Sequence, residues 1–374
     1  MNIRYFLGQM KKKFLHKGSN IFYLCKFLLN KIEDNTILLI EPNNCHTELF
    51  PSFVKYLKDL GYKTEIIAAF EQKNNLPKLK VKNIYYFTLF GAKKAFQFKK
   101  IKKYSFVIFT SYRLYFAHPD KIRDYSKVFE HFKTDDNMMS KTAVTLHHIE
   151  DYDENIKKCL GGIVLSDNLK KEGENLYTIN PSYFKENNIK NKNKTTVFVS
   201  IGKLENTRKN ADLLFDNIKK LKSLGIKDFR VNVIGDNTKN DVPKDLKDFI
   251  TPFGKLSFEK IYEVLQKADF YLPLLDPDIK AHLRYIKKGT SGSFQMIRGF
   301  LLPPLIHKAF SDIHGFDAEN SIVYENNDAF LDALYSAINM KNEEYLKLQK
   351  GLLNSRNEIY QKSIENFKNL LHLN

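Results

Sequence analysis

The chain reads as an α/β protein of two domains, each a parallel sheet covered by helices on both faces, and three observations lead there. Short β-rich runs alternate with amphipathic helical patterns along most of the sequence. Several of the runs break at Gly, at the strand ends where ligands of parallel sheets bind. The length of 374 residues calls for two domains, each large enough for a core of its own.

Residues 1–34 form a basic helical N-terminal extension in which seven Lys or Arg mix with Phe, Leu and Tyr. The first domain is expected over 35–180, with strands at 36–41, 64–70, 83–88, 105–111, 142–148 and 161–166. Its helix at 51–61 carries Phe53, Val54, Leu57 and Leu60, the spacing of one buried helical face. A polar, Asn- and Lys-rich linker follows at 181–194, without apolar periodicity. The second domain, 195–340, opens with TTVFVSIG and breaks at Gly202. A helix at 210–225 then shows Leu213, Leu214, Ile218 and Leu221 on one side, and strand 229–236 ends in Gly235-Asp236. Helix 258–269, strand 270–276, a small-residue loop at 289–300, strands 303–307 and 321–325 and helix 329–338 complete the unit. Residues 341–374 read as one or two helices.

The order SIGKLENTRKNADLL, VNVIGDN, KADFYLPLL and GTSGSFQMIRGFLLPP resembles the C-terminal domain of GT-B-fold glycosyltransferases of the glycogen-synthase-like group. EPNNCHTELFPSFVKYLKDLGYKTEII resembles the first βαβ unit of their acceptor domain, so the likeness spans roughly 36–340. It implies two Rossmann-like domains facing a cleft, with a nucleotide sugar on the second, an acceptor on the first, and the C-terminal helices packing back on the first. It implies no cofactor beyond the donor substrate and no bound metal.

The loop GTSGSF is the best site candidate. Small residues admit a close ligand, and hydroxyls with free amides at a helix start hold phosphate, which points to Thr290, Ser291, Gly292 and Ser293; the same residues would equally serve as a helix cap. Gly202 and Gly235 end strands where a backbone could approach the donor. The resemblance makes Arg208 and Lys209 counter-charges for the departing diphosphate, whose added negative charge fixed cations stabilise. Retaining members carry two glutamates eight positions apart; alignment on Gly299 puts their counterparts near Lys287 and Phe294 or Gln295, so both acids are missing. Lys287 or Lys288 then serves the phosphates, and Gln295 or Glu325 the ribose, and the chemistry leans towards inversion. In the first domain His46 lies between strand one and helix one, where inverting GT-B enzymes often hold a catalytic base, and an imidazole suits that task near neutrality. His147 and His148 end a strand and compete for the role, though neighbours on a strand point to opposite faces. Asp276-Pro277-Asp278 matches a metal-holding D-x-D pattern but equally reads as a turn.

The formal charge of +17 is concentrated: Lys73 to Lys103 holds ten lysines and no acid, interleaved with aromatics. Such a stretch fits solvated surface, an anionic membrane surface or an acidic substrate, while no RNA-binding or zinc-ligand signature accompanies it and no nucleic acid is expected. Three scattered cysteines (Cys25, Cys45, Cys159), no secretory signal and no long apolar run lead to a cytoplasmic protein, peripheral at most on the inner face of the membrane. The expected function is transfer of a hexosyl-type sugar to a glycan or lipid-linked glycan in surface polysaccharide, capsule or lipopolysaccharide synthesis. The alternatives are a non-catalytic two-lobed binding protein for a phosphorylated ligand and, further off, a nucleic-acid-binding protein.

Overall fold

The computed structural model describes residues 17–117, 123–127, 130, 135–205, 207–236 and 242–373. Two compact units emerge. The first runs to Leu165 and takes in Lys170–Ile179 and the chain from Ser363 onward; the second comprises Ser166–Leu169 and Asn180–Lys362.

The first unit is built on β1 (Thr36–Glu41), β2 (Lys63–Ala69), β3 (Asn83–Phe87), β4 (Phe106–Phe109), β7 (Thr142–Leu146), β8 (Gly161–Val164) and β9 (Leu176–Thr178), with an antiparallel hairpin β5 (Arg113–Ala117) and β6 (Arg123–Lys127) beside them. The seven run parallel in the order β3-β2-β1-β4-β7-β8-β9. The apolar, β-branched run of β1 is buried along its whole length, as a central parallel strand must be. Strand order reverses between β1 and β4, and there the loops after neighbouring strands part to leave a crevice.

The second unit repeats the plan with β10 (Thr196–Ile201), β11 (Phe229–Ile234), β12 (Ile250–Gly254) and β13 (Phe270–Tyr271) in the order β12-β11-β10-β13, all parallel. A parallel bridge from Tyr271 to Pro304 continues it into β14 (Leu305–His307) and β15 (Ile322–Tyr324). Successive residues of β10 enter different cores. Phe198 packs with Leu214, Ile218, Leu221 and Leu334, whereas Val199 packs with Leu265, Ile297 and Phe300. The two-residue period of a strand thus divides the helices between two faces, and the reversal of order falls between β10 and β13.

Several expectations change. The strand expected over 270–276 is only Phe270–Tyr271, because Pro273 has no amide to give a ladder and Leu274 takes a left-handed φ of 51°. β9, β12 and the hairpin were not foreseen; Pro252 and Gly254 hide β12 from any propensity reading. The C-terminal segment is one helix, Asn342–Leu370. Residues 17–29 are helical, and Tyr23 and Phe27 are buried; Phe27 meets Tyr85 edge-on at 5.2 Å and Asn20 donates to Thr88 Oγ1 at 2.7 Å. The first sixteen residues of the expected extension lie outside the described residues. Buried Glu65 accepts from Asn30, Asn83, Tyr85 and Tyr104, tying the end of that helix to β2 and β3. Residues 181–194 hold no helix or strand but are anchored within the second unit, Phe184 stacking on Phe300 and Asn193 bonding Asp269. At the other end Phe367 meets Phe53 at 5.6 Å and Asn366 donates to the Thr178 carbonyl at 2.9 Å. No helix among the described residues is long and apolar enough to cross a membrane.

Candidate functional site

Polar groups gather at the carboxyl end of each sheet, at its reversal point. In the first unit Glu41 closes β1, Thr110 and Ser111 follow β4, and His147 follows β7, so three neighbouring strands deliver them to one place. Glu41 is fully buried; Oε1 accepts from the Asn43 amide at 3.0 Å and from its side chain at 2.7 Å, and Oε2 accepts from Thr110 Oγ1 at 3.0 Å and from Ser111 Oγ. Burial pushes its carboxyl up to about 7, against the opposing pull of His46 and these donors.

His46 sits in the left-handed region, φ 64°, where it starts the turn into helix Phe50–Asp59. That backbone turns its ring onto His147, the centroids 3.7 Å apart and the planes 26° from parallel. His46 Nδ1 lies 3.4 Å from Glu48 Oε1. His147 Nε2 is 2.8 Å from the Thr110 carbonyl, which can only accept; Nε2 therefore carries the proton and Nδ1 a lone pair. Burial and the charge of His46 hold His147 well below the usual imidazole range. Burial also opposes a proton on His46, but Cys45 and Glu48 outweigh it and hold this ring well above that range. Of the two rings, His46 is therefore the one that favours the imidazolium form. His148 is exposed, on the alternate side of the strand end.

In the second unit Gly202 and Gly235 end β10 and β11 back to back. A Cβ on Gly235 would stand 2.5 Å from the Gly202 carbonyl oxygen, and one on Gly202, at φ 136°, 2.9 Å from Lys209 Cε. The space so kept is filled by the stem of Lys209, which is 5% exposed. Its Nζ donates to the Pro273 carbonyl at 2.6 Å, and among the described residues it has no carboxylate partner. Burial lowers its pKa to about 7. The loop after β13 wraps this lysine: the Asn210 amide donates to the Leu274 carbonyl at 2.8 Å, and Asn210 Nδ2 to Asp276 Oδ2 at 2.6 Å. Asp276 also accepts from Asn327 Nδ2 at 2.7 Å and, through Oδ1, from the Asp278 amide at 2.8 Å. Buried Asp276 thus organises the loop, the turn reading of the D-P-D pattern.

The helix Gly292–Phe300 begins beside β13. Ser291 caps it, accepting from the Ser293 amide at 3.3 Å, and Ser293 Oγ accepts from Tyr271 at 2.9 Å. The first amides of the helix have no partners in the helix itself, and its dipole favours an anion there. Gln295 is buried with Nε2 lacking a partner, and Thr290 is half-buried. The expected Arg208–Lys209 pair divides: Lys209 turns inward and Arg208 is exposed, as are Lys287, Lys288 and Glu325. His282 and Arg284, in the same loop region, went unnoticed in the sequence, where no spacing or periodicity sets them apart. Among the described residues no group of three or more His, Cys, Asp or Glu could hold a metal ion.

No family model and no curated protein matches the sequence. Solved structures match over nearly the whole chain. A glycosyltransferase from Rickettsia africae aligns at TM-score 0.59 and 15% identity, over 92% of this chain and all of its own. The chain has the GT-B fold. Anabaena Alr3699/HepE, solved in complex with UDP, aligns over 91% of this chain and all of its own at TM-score 0.50 and 10% identity. A UDP-forming α,α-trehalose-phosphate synthase from Burkholderia vietnamiensis does so over 91% and 99% at 0.50 and 8%. At such identities the likeness establishes the GT-B architecture, and the chemistry must be argued from the side chains.

Proposed function

We propose that this GT-B protein is a glycosyltransferase, moving a sugar from a nucleotide-sugar donor to a glycan or lipid-linked glycan acceptor in surface polysaccharide or lipopolysaccharide synthesis. One observation carries the reading: Lys209 is buried, with no counter-ion among the described residues, at the reversal point of the second sheet. A buried ammonium left unpaired is costly, and an anionic ligand is what would compensate it. Departure of a nucleoside diphosphate creates that negative charge. Lys209 and the amides opening helix Gly292–Phe300 stabilise it without a bound metal, and the hydroxyls of Thr290 and Ser291 orient it. In the first unit His46, once it has lost the proton that Cys45 and Glu48 favour, takes the proton of the acceptor hydroxyl, and His147 fixes its ring by stacking.

The test is thermal stabilisation of the purified protein by nucleoside diphosphates and nucleotide sugars, with and without magnesium or manganese. A metal-independent rise with one base, coupled to release of that nucleoside diphosphate when acceptor is added, is expected; no rise with any of them overturns the reading.

We place the enzyme at the inner face of the membrane. Helix 17–29 exposes Ile21, Phe22 and Leu29, at 65, 62 and 86%, beside a lysine-rich strip. Of that strip, Lys82 and Lys102 pair with Glu33 and Asp135, Lys100 bonds carbonyls of the helix end, and Tyr85, Phe87 and Phe96 are core residues. Those three aromatics are thus not available for base stacking. Sedimentation with vesicles rich in anionic lipid is expected for the wild type and to be lost in Ile21→Asp/Leu29→Asp; equal sedimentation of both overturns this placement.

A further inference from the structure

His282 is fully buried, in the short turn Lys280–His282 that follows the β13 loop. Its Nδ1 accepts the Asp276 amide at 3.0 Å, so in the neutral ring the proton resides on Nε2. Among the described residues that N–H has no acceptor. Buried donors in folded proteins nearly always find one, and such an exception calls for a ligand or an ordered water. Two further donors share the neighbourhood. Lys209 fills one of its three N–H directions, towards Pro273. Arg284 stacks its guanidinium 4.5 Å over the Tyr285 ring and donates Nη2 to the Tyr285 hydroxyl at 2.5 Å, but its buried Nε is unpartnered. Besides burial, the charges of Lys209 and Arg284 disfavour a proton on His282, and Asp276, whose amide His282 accepts, bonds Asn210, the residue after Lys209. The nearby carboxylate, Asp276, spends both oxygens on Asn210, Asn327 and the Asp278 amide.

Among the described residues His282 Nε2, Arg284 Nε and two directions of Lys209 Nζ stand open, and the buried Asn327 Oδ1, on the residue that bonds Asp276, is an acceptor without a partner. Donors and cations outnumber that one acceptor, so a compact anionic group rich in acceptors suits the set. We infer that His282 and Arg284 join Lys209 in a cradle that grips the phosphate oxygens of the departing nucleoside diphosphate, with His282 Nε2–H as its most buried donor. The inference rests on the donor-site reading above and adds residues to it. A neutral imidazole donor there adds no charge to be desolvated when the site is empty, unlike a second lysine.

Calorimetric titration of the full chain with inorganic pyrophosphate, with uridine, guanosine and adenosine diphosphates, and with the bare nucleosides tests it. The wild type is expected to bind pyrophosphate and one diphosphate. His282→Phe keeps a flat ring without the donor and should weaken both by about 10- to 100-fold, leaving the nucleoside unchanged. His282→Gln, which can present an amide N–H from a similar position, should recover most of the loss. Arg284→Leu, at a half-buried position, provides a second variant if His282→Phe does not fold, and should weaken the diphosphate by about tenfold. Diphosphate binding by His282→Phe and Arg284→Leu equal to wild type overturns the cradle and leaves the donor reading standing. Binding of pyrophosphate but of no nucleoside diphosphate supports the cradle and overturns the donor reading; binding of neither by the wild type overturns both.

Discussion

Lys209→Met removes a buried ammonium while leaving an unbranched chain of similar length in the space that Gly202 keeps open. Burial takes the lysine from 10.5 to about 7, so the fold holds its proton far more weakly than the unfolded chain does. At about 1.4 kcal/mol per pH unit, that fall sets an upper bound of about 5 kcal/mol on the destabilisation Lys209 imposes on the empty protein near neutral pH. Leaving the Pro273 carbonyl without its donor takes back about 1–3 kcal/mol. The net gain for Lys209→Met is then at most about 2–4 kcal/mol, or about 4–16 °C for a unit of this size. The pH dependence has a definite sign. Between about 7 and 10.5 the unfolded chain binds the proton that the folded chain has released, so wild-type stability rises with pH across that window, and Lys209→Met lacks the rise. Calorimetric melting at pH 6, 7.5 and 9, with and without the nucleoside diphosphate that stabilises the wild type, reads both halves. The expected pattern is a more stable empty protein that the nucleotide no longer stabilises. A variant that melts below the wild type when empty, or that keeps the full nucleotide shift, refutes the argument.

Glu41→Gln tests a second buried ionisable group. With its folded pKa raised from 4.5 to about 7, Glu41 lowers stability as pH rises from about 4.5 to 7; chemical denaturation across that range should show wild type losing up to about 3 kcal/mol relative to the Gln variant, and parallel curves would contradict it. Glu48→Gln withdraws a carboxylate that keeps His46 protonated, so the acidic limb of the kcat/KM profile should move to lower pH, since His46 becomes neutral sooner; an unmoved limb removes His46 from the role of base. Gly235→Ala sets a methyl 2.5 Å from a backbone carbonyl that cannot step aside, and should lower the unfolding free energy by about 1–3 kcal/mol or more; a measured loss under 0.5 kcal/mol would show that the two strand ends can part.

Much of this architecture was legible in the sequence because its signals are local. The run TILLIE can be buried on both faces only inside a sheet, and Leu214, Ile218 and Leu221 share a helical face whatever they pack against. The breaks at Gly202 and Gly235 pointed to strand ends for the same reason, since a sterically crowded turn selects the residue that lacks a Cβ. Local pattern misled where backbone rather than composition decides: Pro273 and the left-handed Leu274 cut short a strand that five apolar or aromatic residues advertised. The chemistry of the candidate sites was beyond any local signal. That His46 stacks on His147, a hundred residues away, depends on β1, β4 and β7 being neighbours, and strand order is set by long-range packing. Likewise Arg208 and Lys209 are adjacent cations in the chain, and only the fold of the loop after β13 around one of them makes Lys209 a buried, counter-ion-free charge and Arg208 a solvated one. Periodicity reports which side of an element is dry; which donors converge there without an acceptor follows only from how the elements meet.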